Sequence, residues 1–380
     1  MTGDAAIRGI RQVDSAGPIG LISEETDPPY NRPPLSKGLW KRQSIKHIWR
    51  KTEDLGVELH LGRQALRLDP DSNQLVDSQE TVYTFDKLLL AIGGAPRRLP
   101  FEDDAIIYFR TLEDYKRLRA LTEQGQRFGV IGGGFIGSEI AAALVMNGKE
   151  VVMLFPEAGI GGLAFPRDLA RHLNDFYRGK GVEVLPGEFV VGLEARPGRF
   201  SLQTKKGIEV LVDGIVAGLG IQPNTLLAET AGLEVDNGIV VDESLRTSHP
   251  DIYAAGDVAT FYNPTLDKWL RVEHEDNANT MGLMAGQAMA GEPVAYDHLP
   301  YFYSDMFELG YEAVGELNPE LEAVADWQEP YQKGVIYYLQ QGQVRGVILW
   351  NVWGQVDAAR ALMSEPGPFT PEDLKGRLPA

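Results

Sequence analysis

Apolar and polar residues alternate along this chain in blocks that predict strands, glycine turns and helices. The clearest block spans 127–155, where the apolar run Phe128–Ile131 leads into three consecutive glycines. A helical pattern then covers Ile136–Val145, and a second apolar run covers Val151–Phe155. A strand, a glycine turn, a helix and a further strand in this order are typical of a parallel βαβ unit.

A weaker copy of that block opens the chain. Thr2–Gln12 has a helical pattern, Gly17-Pro18 breaks it, and Ile19–Ile22 has the pattern of a strand. The strand and the pair of glycines that should precede such a helix would lie before Met1. The pattern therefore predicts that this sequence is shortened relative to a complete unit.

The remaining predicted elements are shorter and more mixed. A hairpin is expected where Gln341-Gly342-Gln343 separates two apolar runs. The elements are the strand Tyr83–Ala91, several short strands within 189–219, the strand Ile252–Ala255, a helix within 271–290, the hairpin strands Val335–Leu339 and Val344–Leu349, and the helix Val356–Met363.

Composition narrows the chemistry that this chain can perform. Its 380 residues carry a formal net charge of −18, which argues against broad nucleic-acid binding, because that binding depends on Lys and Arg neutralising phosphates. It has no cysteine, which excludes thiol catalysis, redox dithiols and iron–sulfur clusters, and no metal site is predicted. No apolar run approaches the roughly 18 residues of a membrane span and no leader is evident, so we expect a cytoplasmic protein.

The glycines at 132–137 form a G-x-G-x-x-G fingerprint. Gly132 makes the tight turn, Gly134 lets the backbone approach a pyrophosphate, and Gly137 allows the helix to pack against the strand. An acid about 20 residues further on is expected to bind the ribose 2′-hydroxyl, and Glu157 has that position. The block therefore predicts a dinucleotide site.

The same spacing applies at the start of the chain. Glu24 follows the predicted strand, and Gly3 stands 21 residues before it, where the third glycine of a fingerprint belongs. Two such units in one chain suggest two dinucleotides, such as FAD and NAD(H).

Several longer motifs resemble the ferredoxin reductase-like flavoproteins and apoptosis-inducing factor with its bacterial relatives. The resemblance implies an α/β fold with two Rossmann-like dinucleotide-binding domains, for FAD and NAD, plus a small α+β C-terminal domain. The implied domains are 1–112 with 243–300 for FAD, 113–242 for NAD, and 301–380, without the long C-terminal insertion of apoptosis-inducing factor. The motifs are Pro29–Lys37, Leu154–Glu157, Arg271–His274, Gly310–Gly315 and Gly334–Leu339.

That resemblance also implies roles for particular residues. Glu24 would hold the FAD ribose, and Arg32 would lie along the flavin nucleotide. Lys37 would stand near the flavin N5 and pair with Glu139. His274 would flank the isoalloxazine and nicotinamide rings, which makes Lys37, Glu139 and His274 the predicted catalytic set.

Further residues are assigned to cofactor binding by the same resemblance. Phe135 would lie beside the stacked rings, Asp257 would bind the ribityl chain, and Glu273 would flank the flavin. Tyr303 stands where these families usually have a tryptophan, and Gly220 opens a loop near the nicotinamide.

Plainer interpretations of these residues stay open. Lys37 and Glu139 would suit an exposed surface, Phe135 a core position and His274 a structural role. Residues 37–51 hold six lysines and arginines and no acid, which suits a docking surface for an acidic carrier or an ordinary solvated segment.

The resemblance implies an FAD-dependent NADH oxidoreductase that passes electrons to a quinone or a small electron carrier. NADH is favoured over NADPH because Glu157 would repel a 2′-phosphate. The alternatives are a ferredoxin or rubredoxin reductase component, and a nucleotide-sensing flavoprotein of slow turnover whose oligomerisation NADH controls. Whether the chain forms a homodimer is left open.

Overall fold

The computed structural model describes residues 1–101 and 103–379. Within those ranges, no helix combines the length and the apolar character that crossing a bilayer requires. The α-helices are α1 (Thr2–Val13), α2 (Leu112–Gln124), α3 (Phe135–Met146), α4 (Arg167–Gly179), α5 (Leu226–Thr230), α6 (Glu275–Met289), α7 (Val356–Ser364) and α8 (Pro371–Leu374).

Short strands make up most of the remaining regular structure. In chain order they are β1 (Gly20–Ser23), β2 (Glu58–Leu61), β3 (Ala65–Asp69), β4 (Gln74–Asp77), β5 (Val82–Thr84), β6 (Leu88–Leu90), β7 (Gly94–Pro96), β8 (Ile106–Tyr108), β9 (Arg127–Ile131), β10 (Glu150–Phe155), β11 (Val182–Pro186), β12 (Val190–Arg196), β13 (Arg199–Thr204), β14 (Glu209–Val212), β15 (Gly214–Ala217), β16 (Ile221–Pro223), β17 (Ile239–Val240), β18 (Ile252–Ala254), β19 (Ala259–Asn263), β20 (Lys268–Leu270), β21 (Tyr301–Met306), β22 (Leu309–Gly315), β23 (Glu322–Glu329), β24 (Lys333–Gln340) and β25 (Gln343–Trp350).

The first of two compact units comprises Met1–Asn31, Ser44–Ala95 and Gln222–Tyr301. Two parallel pairs, β1 with β2 and β6 with β18, lie in this unit. β3, β4 and β5 form an antiparallel sheet, and β19 pairs with β17 and β20. Apolar side chains from β18, β19 and α6 fill its core.

Helices α1 and α6 of this unit pack so closely that glycine is required between them. A Cβ atom on Gly9 would lie 2.0 Å from the carbonyl oxygen of Leu283, and one on Gly286 would lie 1.9 Å from that of Ala6. Real side chains do not reach such distances, so the helices touch backbone to backbone.

The second unit comprises Arg32–Gln43, Pro96–Ile221 and Phe302–Ala380. A parallel five-stranded sheet in the order β11-β10-β9-β15-β8 carries α3 between β9 and β10. Strands β12, β13 and β14 form a small antiparallel sheet. A second five-stranded sheet has the order β21-β22-β25-β24-β23. The predicted three-domain division stays a prediction.

The predicted βαβ unit is confirmed, since β9 and β10 pair in parallel on either side of α3. The helix at the start of the chain, the strands within 189–219, the C-terminal hairpin and the helix that follows it are also confirmed. The single strand predicted over Tyr83–Ala91 is wrong. β5 and β6 are separate, because β5 pairs with β4 while β6 pairs with β18.

Candidate functional site

The fingerprint glycines form an open cradle at the N-terminus of α3. Gly132 has φ +115°, and a Cβ atom there would lie 2.3 Å from the carbonyl oxygen of Gly218. A Cβ atom on Gly137 would lie 2.0 Å from the carbonyl oxygen of Gly132, so helix and turn are in close contact. Gly134 faces open space and caps α3 without a side-chain hydrogen bond. The free amides of the first turn therefore fit a pyrophosphate.

Glu157 lies two residues beyond the end of β10 and is partly exposed. Among the residues that the structure describes, no hydrogen bond or ion pair engages its carboxylate. The main-chain carbonyl of Glu157 accepts a hydrogen bond from the Gly187 amide at 3.0 Å, which fixes the backbone. The carboxylate is therefore free to accept hydrogen bonds from a ribose.

A buried ion pair joins Lys37 and Glu139, as the sequence predicted. Lys37 Nζ lies 2.7 Å from Glu139 Oε1, and the Glu139 side chain is 3% exposed. Ser304 donates to Oε1 and Ser36 donates to Oε2, each at 2.5 Å. The Lys37 ammonium also lies 5.2 Å from the centre of the Tyr303 ring. Three segments of the chain, at 36–37, 139 and 303–304, thus hold one cation and one carboxylate in place.

Two tyrosines near this pair stay neutral. Burial raises the pKa of Tyr311 well above its ordinary value, and the Glu139 carboxylate raises it further. Burial likewise raises the pKa of Tyr177, whose hydroxyl donates to the Ser138 carbonyl at 3.1 Å. Charge near Glu139 is therefore carried by Lys37 and not by a phenolate.

Phe135 opens α3 beside Gly134 and is 42% exposed, so simple core packing does not describe it. Its ring centre lies 6.5 Å from that of Phe302 and 6.3 Å from that of Tyr311. Tyr311 in turn stacks on Trp350 at 5.7 Å. The exposed ring of Phe135 therefore packs against other aromatic rings on its protein side.

Arg32 is partly buried and Gly220 is exposed, and both belong to the same unit. Arg32 donates from Nη1 to the Arg110 carbonyl at 2.8 Å. Gly220 has φ +78° and its carbonyl accepts the Arg97 amide at 2.9 Å. A Cβ atom on Gly220 would face open space, which suits a loop beside a ligand.

In the first unit, the N-terminus of α1 is a second helix terminus that could bind phosphates, like that of α3, and β1 follows it. Met1 stands at the cap position of the helix, and a Cβ atom on Gly3 would lie 3.4 Å from Leu21 Cδ1. Glu24 directly follows β1, is exposed, and has a carboxylate with no partner among the described residues. This arrangement fits the ribose and phosphates of a dinucleotide.

A glycine turn after β18 approaches the same helix terminus. Gly256 has φ +78°, and a Cβ atom there would lie 2.4 Å from Thr2 Oγ1. Asp257 follows it and is half-buried. The turn therefore brings Asp257 beside the start of α1, which fits FAD.

Arg271 was not singled out by the sequence, yet it joins two predicted FAD residues. It donates from Nη1 to the Asp257 carbonyl at 3.0 Å and from Nη2 to Glu273 Oε1 at 2.7 Å. Its side chain is 7% exposed, and its Nε is buried without a hydrogen-bond partner among the described residues. His274 caps the start of α6. The sequence signal that could have identified Arg271 was its position as the cation of the Arg271–His274 motif.

Residues 37–51 are not one free basic surface. Lys37 is paired with Glu139, Lys41 lies 3.8 Å from Asp305, and Arg50 lies 2.5 Å from the buried Asp4. Lys41 is nonetheless exposed, as are Arg42, Lys46 and Lys51. Within 1–101 and 103–379, no group of three or more His, Asp or Glu residues is placed to hold a metal ion.

Known proteins resemble the chain over nearly its whole length. The sequence model of the family described as pyridine nucleotide-disulphide oxidoreductase matches residues 2–282, and the model described as apoptosis-inducing factor, mitochondrion-associated, C-term matches residues 323–365. The mitochondrial apoptosis-inducing factor 1 of Dictyostelium discoideum is 32% identical, covering 94% of this chain and 75% of its own.

Two reductases are similar to the chain to a comparable degree. The ferredoxin reductase subunit of the 5,5′-dehydrodivanillate O-demethylase of a Sphingobium species is 33% identical over 88% of this chain and 84% of its own. The crystal structure of the covalent putidaredoxin reductase–putidaredoxin complex contains a chain that matches with a TM-score of 0.90 and 29% identity, over 98% of this chain and 92% of that one. The predicted α/β fold class is confirmed.

Proposed function

Because the chain belongs to the pyridine nucleotide-disulphide oxidoreductase family, we propose that it takes electrons from NADH in preference to NADPH and delivers them to a small electron-carrier protein of the ferredoxin class. The chain is an FAD-dependent NAD(P)H oxidoreductase whose cofactors are FAD and NAD(H). It contains no cysteine, so it operates without the dithiol for which the family is named.

The free carboxylate of Glu157 carries the proposed coenzyme preference. It stands at the end of β10, in the fingerprint unit, with no protein partner among the described residues. A 2′-hydroxyl can donate to this carboxylate, whereas a 2′-phosphate would bring a like charge beside it.

FAD, when bound, supplies the chemistry that connects a two-electron donor to one-electron carriers. We assign to Lys37 the role of the cation that faces the flavin. Ser36 and Ser304 orient the Glu139 carboxylate, which in turn holds the Lys37 ammonium at 2.7 Å. A cation fixed before the reaction stabilises negative charge without having to reorganise. Asp257, Glu273 and His274 are assigned to the flavin side of the first unit.

The proposed acceptor class rests on two relatives, one a ferredoxin reductase subunit and the other solved with putidaredoxin. Exposed cations at Arg42, Lys46 and Lys51 suit an acidic carrier protein. A quinone is the alternative acceptor.

The test is an anaerobic titration of the FAD-loaded protein with NADH and with NADPH, followed by an acceptor screen. We expect a lower apparent dissociation constant for NADH, and faster turnover with a [2Fe–2S] ferredoxin than with a soluble quinone. Equal use of both coenzymes contradicts the proposed preference, and faster quinone turnover contradicts the proposed acceptor.

A further inference from the structure

We propose that Glu188 is a second determinant of coenzyme choice, because it binds Lys206 and so withholds that cation from the 2′-phosphate of NADPH. The inference rests on the proposed function, in which the cleft at Gly132–Gly137 binds the pyridine nucleotide. Glu188 follows β11, and Lys206 lies in the turn between β13 and β14.

Main-chain hydrogen bonds join Gly187 and Glu188 to the end of β10 and to Glu157. The Gly187 amide donates to the Glu157 carbonyl, and the Glu188 amide donates to the Phe155 carbonyl, both at 3.0 Å. A Cβ atom on Gly187 would lie 3.2 Å from Lys206 Nζ. The ammonium of Lys206 therefore lies against the residue whose amide binds Glu157.

The pair is ionic and its acid is well fixed. Lys206 Nζ lies 3.0 Å from Glu188 Oε1, and the Glu188 side chain is 6% exposed. The side-chain hydrogen bond with Thr204 lowers the pKa of Glu188, and the hydrogen bond and charge of Lys206 lower it further, against an opposing contribution from burial. Glu188 is therefore ionised at neutral pH, and its Oε2 is buried without a hydrogen-bond partner among the described residues.

Lys206 is the exposed member of the pair, since its side chain is 61% exposed. In the native chain, the 2′-phosphate of NADPH would meet the Glu157 carboxylate. The ammonium of Lys206, which could attract the phosphate, is already bound by Glu188. Removing the charge of Glu188 leaves a flexible ammonium free to approach the phosphate. The solvent exposure of Lys206 screens the interaction, so we expect a change in affinity of about two- to fivefold.

The test measures binding of 2′,5′-ADP and 5′-ADP to the FAD-loaded protein by calorimetry. Glu188→Gln is expected to tighten 2′,5′-ADP by about two- to fivefold and to leave 5′-ADP unchanged. Adding Lys206→Met should abolish the gain. Glu209→Gln is the matched control, since this acid of β14 also binds a hydroxyl, that of Ser201, and a guanidinium, that of Arg196. It should change neither ligand.

The proposal is overturned if Glu188→Gln does not tighten 2′,5′-ADP, or if the gain persists after Lys206→Met. Thermal unfolding checks that each variant folds. Should Glu188→Gln misfold, Glu188→Asp withdraws the carboxylate from Lys206 by one methylene. If the ratio of the dissociation constants for 2′,5′-ADP and 5′-ADP is then the same as in the unmodified protein, the proposal is overturned equally. If the unmodified protein does not bind 5′-ADP, the nucleotide site at Gly132–Gly137 is refuted, and with it the proposed function.

Discussion

Glu139 and Glu157 are carboxylates of the same unit in opposite surroundings. Glu139 is 3% exposed and accepts hydrogen bonds from Lys37, Ser36 and Ser304. Glu157 is partly exposed and engages no described residue through its carboxylate. A fully engaged carboxylate fixes the position of a cation, whereas a free one is ready to bind an incoming hydroxyl.

Glu139→Ala is expected to destabilise the protein by up to about 3–5 kcal/mol, because it leaves the Lys37 side chain, only 15% exposed, without its partner. Urea unfolding of the variant measures this loss. Glu183→Ala is the control, since its carboxylate pairs with Arg127 at the surface and is 49% exposed. That exposed pair should contribute at most about 1 kcal/mol. Equal losses in the two variants would contradict the buried pair.

Glu157→Arg is expected to weaken binding of NADH and improve binding of NADPH. The substitution removes the acceptor for the ribose 2′-hydroxyl and supplies a guanidinium for a 2′-phosphate. Stopped-flow flavin reduction gives the ratio of the apparent dissociation constants for NADH and NADPH, and this ratio should rise. A ratio equal to that of the unmodified protein would mean that the Glu157 side chain points into solvent.

The sequence predicted the pairing of Lys37 with Glu139 through a family motif, but it missed the partners Ser36 and Ser304. Serine is common at surfaces and in turns, so a hydroxyl carries no local signal that it will donate to a distant carboxylate. Arg271 was missed for a related reason. Its acceptors include a main-chain carbonyl, that of Asp257, which no pattern of side chains reveals.

At the scale of elements, long apolar periodicities were predictable and sheet changes were not. The βαβ unit at β9, α3 and β10 has both its period and its glycines in the sequence. Between β5 and β6 the chain changes sheets at Phe85, whose amide donates to the Asn73 carbonyl. That bond joins residues distant in sequence, so the pattern on either side of Asp86 and Lys87 predicted one strand instead of two.

The close contact between α1 and α6 predicts that replacing a glycine there lowers the stability of the protein. Gly286→Ala should destabilise the protein by about 1–3 kcal/mol, because its methyl group would collide with the Ala6 backbone. Gly179→Ala is the matched control at the end of α4, where a Cβ atom meets open space. It should be neutral or stabilise by up to about 1 kcal/mol. Thermal unfolding of both variants compares them, and equal melting temperatures would contradict the close contact.

Asp213, between β14 and β15, makes the stability of the fold depend on pH. Burial raises the pKa of Asp213, but hydrogen bonds from Arg199 and from the Arg127 and Gln126 amides outweigh burial and lower it to about 2. A pKa below the unfolded value of 3.8 stabilises the fold above pH 4, and this contribution is lost as the pH falls through about 2.

Asp213→Asn should therefore cost about 2 kcal/mol at pH 7, with the difference from the unmodified protein shrinking toward pH 2. Urea unfolding at pH 7, 4 and 3 measures the difference. Asp175→Asn, at a side chain that is 78% exposed, is the control and should show little loss at any pH. A constant difference for Asp213→Asn over this range would contradict the linkage.

At the scale of the whole molecule, the net charge of −18 opposes the approach of an acidic carrier. A carrier that docks on the exposed cations of residues 37–51, as proposed, has to be attracted locally despite that repulsion, since salt screens charges beyond about 10 Å at 0.1 M. Two double variants separate the local effect from the global one. Arg42→Glu with Lys46→Glu changes the segment, and Arg171→Glu with Lys375→Glu changes the net charge equally at exposed positions elsewhere.

We expect the Arg42 and Lys46 double variant to slow reduction of an acidic [2Fe–2S] ferredoxin about tenfold at low salt, because steering raises association rates by factors of that order or more. The control pair should slow it far less, and added salt should bring the variants and the native protein together. Reduction of the flavin by NADH, followed by stopped flow, should be equal in all three proteins. Equal slowing by both pairs would assign the effect to net charge alone, and no slowing by either would mean that the carrier docks without this segment.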